Sequence, residues 1–248
     1  MTAEILSESD PRHSLLLVGD YGSGKTEVAV NLALHLAAQR TGRAIAIADL
    51  DLVNPYFRCR EAHEPLEQAG IRVVMPQGGH QFADLPILLP QVKGLLGDRA
   101  TLSVLDVGGD EVGSRVLAGL APCFDRTRHA LWFVVNGRRP FCDTPEGCVA
   151  AIRRIERASG WSVTGLVSNT HLMDETEPAM IEQGLELARA VGRLLDVPVA
   201  FVAAMADLAA QLDLARLACP MLAMRRMMVP PWVRRPGGDV AALRLGVT

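Results

Sequence analysis

Short, continuously apolar runs punctuate the chain, each separated from the next by a longer stretch of helical composition. SLLLVG at 14–19, RAIAIAD at 43–49, IRVVM at 71–75 and TLSVLD at 101–106 are followed by HALWFVVN at 129–136, SVTGLVSN at 162–169 and VPVAFVA at 197–203. Because successive rather than alternate positions are apolar, these runs predict parallel strands covered by helices on both faces. The segments 25–40, 57–68, 85–96, 144–158, 178–194 and 205–218 have the length and composition of helices. In the first, Val28, Leu32, Leu36 and Ala37 fall near helical spacing and give the helix a face for the sheet. The alternation predicts an α/β fold with a mainly parallel sheet of about seven strands flanked by helices on both faces.

The alternation stops near 221. Pro230 and Pro231 remove backbone donors and stop helices, so the chain divides into an α/β domain at 1–220 and a C-terminal arm at 221–248. The methionines and Trp232 of the arm read as cover for a core edge, since the prolines interrupt the helix that a membrane-surface contact needs.

Composition narrows the class. With 248 residues, 49% hydrophobic and 21% charged, the chain can bury one sizeable core and is not globally disordered. Lys plus Arg total 25 against 28 for Asp plus Glu, a net charge of −3, so no basic excess stands ready for phosphodiester backbones and no nucleic-acid partner is expected. The acidic start and the lack of an 18-residue apolar run lead to the expectation of a cytoplasmic protein with no membrane partner. Cys59, Cys123, Cys142, Cys148 and Cys219 are odd in number and contain no CxxC pair, and they read as reduced thiols. The basic residues are 23 Arg and only two Lys, Lys25 and Lys93, so each retained lysine is informative.

Lys25 stands in Gly19-Asp20-Tyr21-Gly22-Ser23-Gly24-Lys25-Thr26, which matches G-x-x-x-x-G-K-[ST] between an apolar strand and an amphipathic helix. In that context Gly19, Gly22, Ser23 and Gly24 supply backbone N–H groups to phosphate oxygens, Lys25 reaches the β- and γ-phosphates, and Thr26 offers a hydroxyl to Mg²⁺. Hydrolysis also needs carboxylates at the carboxyl ends of the strands, where an open parallel sheet places its ligand crevice. Asp49 and Asp51 follow the second strand and Asp106 ends the fourth. Asp106-Val107-Gly108-Gly109 has the form D-x-x-G, in which Asp106 serves the metal and the Gly109 amide approaches the γ-phosphate. Asp49 is a further metal candidate, and Asp51 is the candidate partner of the attacking water. A helix N-cap is the other reading of Asp106.

With these residues in place, the sequence resembles the MinD/ParA and cobyrinic-acid-synthase group of P-loop ATPases over about residues 14–205. DLDLVNPYFRCRE, DVGGDEVG, VVNGRRPF and TGLVSNTHLMDET look like a bacterial branch described only as nucleotide-binding proteins. The resemblance implies ATP and Mg²⁺ as cofactors and a homodimer or another protein as partner. It also implies adenine contact by Asn169, with Leu172 where GTP-specific relatives carry an Asp; a turn-forming Asn is the plainer reading of Asn169, and Asn136 is a weaker candidate of the same kind. Relatives of the MinD type carry a second lysine at the position of Asp20 and extend it across a dimer. Arg138 or Arg139, or Arg58 and Arg60, are candidates for the missing cation, or else solvent-facing arginines. The expected function is a Mg-ATP-binding and hydrolysing switch that assists assembly or activation of a partner, such as a redox or metal enzyme. An ATP-dependent small-molecule synthase or kinase is the alternative.

Overall fold

Leu15, Leu16, Leu17 and Val18 are all fully buried, and they alternate between two hydrophobic clusters on opposite faces of one sheet. This double burial is why the run lacks the polar alternation of a half-exposed strand. The computed structural model describes residues 5–7, 10–39, 42–51, 62–74, 85–123, 125 and 127–228.

Eight strands make the sheet: β1 (Ser14–Val18), β2 (Ala44–Leu50), β3 (Arg72–Val74), β4 (Thr101–Val107), β5 (His129–Val135), β6 (Gly165–Ser168), β7 (Val199–Met205) and β8 (Met221–Met224). Their order is β3-β2-β4-β1-β5-β6-β7-β8, and every pairing is parallel. The chain winds outward from β1 in one direction through β2 and β3, returns to β4, and then proceeds the other way from β5. The strand order therefore switches beside β1, the place where open α/β sheets bind ligands.

One face is covered by α3 (Leu85–Gly97), α4 (Glu111–Leu120), α5 (Pro145–Ser159) and α6 (Pro178–Leu195), whose Val92, Leu117, Ile152 and Val191 join Leu16, Leu105 and Phe133. The other is covered by α1 (Lys25–Ala38) and α2 (His63–Gln68), through Val28, Leu32, Leu36 and Leu66 against Leu15, Ile47 and Trp132. Each fully buried aliphatic side chain of this kind contributes about 1.5–3 kcal/mol relative to exposure. Helix ends follow local chemistry. Thr144 accepts from the Gly147 amide ahead of Pro145, and Gly160 ends α5 in the left-handed region at φ 74.

The sequence reading differs from the structure at three places. The helix expected at 205–218 is two single turns, α7 (Ala206–Ala209) and α8 (Leu214–Leu217), because the Asp213 carboxylate accepts the Ala215 and Arg216 amides and begins a new turn. Helix α4 was not anticipated in a glycine-bearing stretch; its N-cap is Asp110, so Asp106 is not the cap. Beyond the seven strands read from the apolar runs, Met221–Met224 at the start of the expected arm pairs with β7 as an eighth, burying Leu222 and Met224. The rest of the expected arm, from 229, and the start of the helix expected at 57–68 lie outside the described residues.

Candidate functional site

The turn after β1 is shaped by its glycines. Gly24 has φ +79, and a Cβ there would come within 2.5 Å of Asn169 Nδ2, so both backbone and space require glycine. Lys25 and Thr26 open α1 and are buried. Lys25 Nζ lies 2.8 Å from Asp51 Oδ2. Burial pulls the ammonium pKa down, but Asp51 and then Asp106 more than offset this and hold it above the ordinary lysine value.

Asp106 ends β4 in register with Leu17 of β1 and Asp49 of β2. Thr26 donates its hydroxyl to Asp106 Oδ2 at 2.6 Å. Burial pushes Asp106 up to about 6, against the lowering effects of Lys25 and Thr26. Asp106 Oδ1 and Ser23 Oγ are buried with no hydrogen-bond partner among the described residues. Asp49 is buried and accepts the Asp51 amide at 3.2 Å. The D-x-x-G loop touches the P-loop directly: a Cβ on Gly109 would lie 1.8 Å from the Gly19 carbonyl oxygen. The sheet thus brings Gly19, Gly22, Ser23, Gly24, Lys25, Thr26, Asp49, Asp51, Asp106 and Gly109 to one edge.

A hydroxyl beside a carboxylate with an unused oxygen suits a hard cation. No group of three or more His, Cys, Asp or Glu gathers as a metal site among the described residues. Mg²⁺ at nucleotide sites is held by one or two carboxylates plus phosphate oxygens, so this donor set fits it.

The loops after β5 and β6 buttress the P-loop. Asn169 donates from Nδ2 to the Ser23 carbonyl at 2.8 Å, Asn136 to the Gly22 carbonyl at 3.3 Å, and Arg139 Nε to the same carbonyl at 2.9 Å. Of the expected cations, Arg139 reaches the P-loop, whereas Arg138 bonds Gln183 of α6 at 2.9 Å; Arg58 and Arg60 lie outside the described residues. Asp20 is held from the side of α5, by Arg154 at 2.7 Å and by the Cys142 thiol at 3.2 Å. Cys148 alongside and burial raise the Cys142 pKa, which keeps it a thiol.

Beside the P-loop opens a cavity of about 400 Å³. Gly24, Lys25 and Thr26 line it together with the apolar side chains of Ile181, Met205, Leu208, Met224 and Met228. His171 faces it, lowered to about 4 by burial first and by Arg139 and Arg226 after it, so it is neutral near pH 7. The sequence reading missed His171, Arg154 and the contribution of residues 225–228. Glu27 and Asn31 hold those residues against α1. The signal was present: Glu27 and Asn31 sit four apart in a helix that is apolar on nearly every other side.

No protein-family model matches the sequence, and no curated protein matches it. Similar solved structures include chloroplast FtsY from Physcomitrella patens, 18% identical over 82% of this chain and 61% of that one with a TM-score of 0.53. The cell division protein FtsY from Thermotoga maritima is 20% identical over 79% and 62%, with a TM-score of 0.50. The 54 kDa signal recognition particle protein from Aeropyrum pernix, solved with GDP, is 20% identical over 78% and 42%, with a TM-score of 0.50. The chain spans about three-fifths or less of the length of these structures. They share its fold, a parallel sheet of P-loop nucleotide-binding type.

Proposed function

We propose that the chain is a Mg-ATP-binding and hydrolysing switch whose turnover is controlled by a protein partner. The observation that carries this reading is the convergence of Lys25 and Asp51 at 2.8 Å with Thr26 and Asp106 at 2.6 Å, on the loop closed by Gly109. Thr26 and Asp106 would hold Mg²⁺, and the ion would supply positive charge to offset that developing on the phosphates. Lys25 exchanges Asp51 for phosphate oxygens, and the released Asp51 carboxylate accepts a proton-bearing contact from the attacking water and orients it. Asp49 keeps the Asp51 backbone in place through its amide. The Gly109 backbone follows the γ-phosphate, so hydrolysis changes the loop ahead of α4.

Adenine is the proposed base because position 172 is Leu and offers no carboxylate to a guanine edge; Asn169, buried at the P-loop end of the cavity, is its proposed neighbour. The assignment to the MinD/ParA-like group rests on the motifs alone. A partner is supported by where apolar side chains face water. Tyr21 after β1, Phe141 after β5 and Met173 after β6 are exposed by 79%, 81% and 42%, all on loops at the edge that carries the P-loop. Phe141 is held at φ 67, a conformation costly for an aromatic residue. Competition between ATP and GTP for a fluorescent nucleotide, combined with phosphate release, tests the reading. ATP should displace the probe at lower concentration, and a GTP affinity equal to or above that of ATP overturns the base assignment.

A further inference from the structure

Four hydrogen bonds join the P-loop helix to the segment after β8. Asn31 Oδ1 accepts the Arg225 amide at 2.8 Å, and its Nδ2 donates to the Arg225 carbonyl at 2.9 Å, pairing with that residue as a neighbouring strand would. Glu27 accepts the Met227 amide at 2.5 Å and the Met228 amide at 3.0 Å. All four bonds are to backbone donors or acceptors that an edge segment would otherwise present to water, and two of them end on a carboxylate, the stronger class. Glu27 is the second residue after Lys25, so the same turn of helix that presents the phosphate ligands also fixes residues 225–228.

What those residues do is visible in the cavity. Met224 and Met228 are both 3% exposed, and both line it together with Arg226. Arg226 is paired with Asp174, in the loop after β6, at 2.7 Å. Among the described residues no strand pairing holds the segment beyond Met224; it is fastened by Glu27 and Asn31. Thioethers are polarizable and adapt to a flat ring, which suits this wall to a heterocyclic base.

We propose that Glu27, through the segment 225–228, is a positioning residue for the nucleotide base, so that the P-loop helix builds the base wall of the site as well as the phosphate end. The proposal rests on the nucleotide-binding reading above. Glu27 itself lines the cavity; the proposal assigns base affinity to the wall that it fastens and leaves phosphate affinity to Lys25 and Thr26. Burial raises the Glu27 pKa while the bonds from Met227 and Met228 lower it, so the carboxylate has been kept in a place that is costly for a charge.

The test compares Mg-ATP with magnesium tripolyphosphate, which carries the phosphate chain without a base, by calorimetric titration of the full chain. Wild type should bind Mg-ATP more tightly than tripolyphosphate. Glu27→Ala should weaken Mg-ATP by roughly tenfold or more, the scale of a lost charged hydrogen bond, and leave tripolyphosphate unchanged. Met228→Ala, which cuts the wall without touching α1, should show the same selective loss. Glu27→Gln, which keeps one acceptor, should fall between. Equal losses for both ligands in Glu27→Ala, or no loss for either, overturn the proposal. A wild type that binds neither ligand, or a Lys25→Ala chain that binds both normally, overturns the nucleotide-binding reading instead.

Discussion

Thr26 and Asp106 meet at 2.6 Å although 80 positions separate them, and the contact joins the first turn of α1 to the end of β4. In the proposed function each supplies one half of a Mg²⁺ site, and the strand order β4-β1 is what makes them neighbours. With Asp51 on Lys25 rather than on Thr26, the two carboxylates have different immediate partners, which separates their chemistry.

Asp51→Ala should therefore bind Mg-ATP with nearly normal affinity and hydrolyse it slowly, whereas Asp106→Ala should lose the dependence of binding on magnesium. Single-turnover hydrolysis across a magnesium titration distinguishes them. Identical defects in the two variants contradict the division of roles.

Lys25→Ala should abolish tight nucleotide binding and also lower stability. Removing the ammonium leaves Asp51, 4% exposed, without its cation, and breaking one side of a buried pair costs about 3–5 kcal/mol. Adding Asp51→Asn should restore much of the stability and none of the binding. Urea unfolding beside a titration with labelled ATP measures both, and equal stability of the single and double variants argues against the pair.

The P-loop and the D-x-x-G strand were legible in the sequence because each is a local pattern whose chemistry demands those residues in that order, and the apolar runs located the central strands within a few residues. Strand β8 and the segment after it were not. The partners of that segment, Glu27 and Asn31, lie about 200 positions away, and the adjacent prolines mark the end of the arm rather than its start. Helix α4 escaped because EVGSRVLAGL carries two glycines, while its start depends on one side-chain bond from Gly113 to Asp110. Asn169 reads alike as a base contact or a turn residue; its amide on the Ser23 carbonyl gives it a third task, bracing the P-loop.

The neutral His171 gives the fold a pH dependence. Its pKa is about 4 in the folded chain against an ordinary 6.5, so the unfolded chain takes up the proton first as pH falls. The stability that His171 contributes is complete above about pH 6.5 and is lost toward pH 4, by up to about 3 kcal/mol. In urea titrations from pH 7 to pH 4, His171→Gln should lose less stability than wild type. Parallel curves for the two proteins rule this out.

Asp20 stands where the ATPases of the MinD type that the sequence resembles carry a trans-acting lysine, and here its carboxylate is turned to Arg154 at 2.7 Å. The pair neutralises the mouth of the P-loop, and Arg139, bonded to the Gly22 carbonyl, is a second arginine against that loop. A cation delivered by a partner is worth on the order of a thousandfold in rate at such sites, so the isolated chain should turn over slowly. Asp20→Lys removes one negative charge, adds a positive one, and leaves Arg154 without its acceptor, which places two cations beside the phosphates. That variant should self-associate more strongly with a non-hydrolysable ATP analogue than wild type does, while Arg154→Ala, which uncovers the Asp20 charge, should self-associate less. Light scattering at matched concentrations reads both. A wild type already fully dimeric with the analogue, and insensitive to either change, would place the trans-acting charge on a different residue.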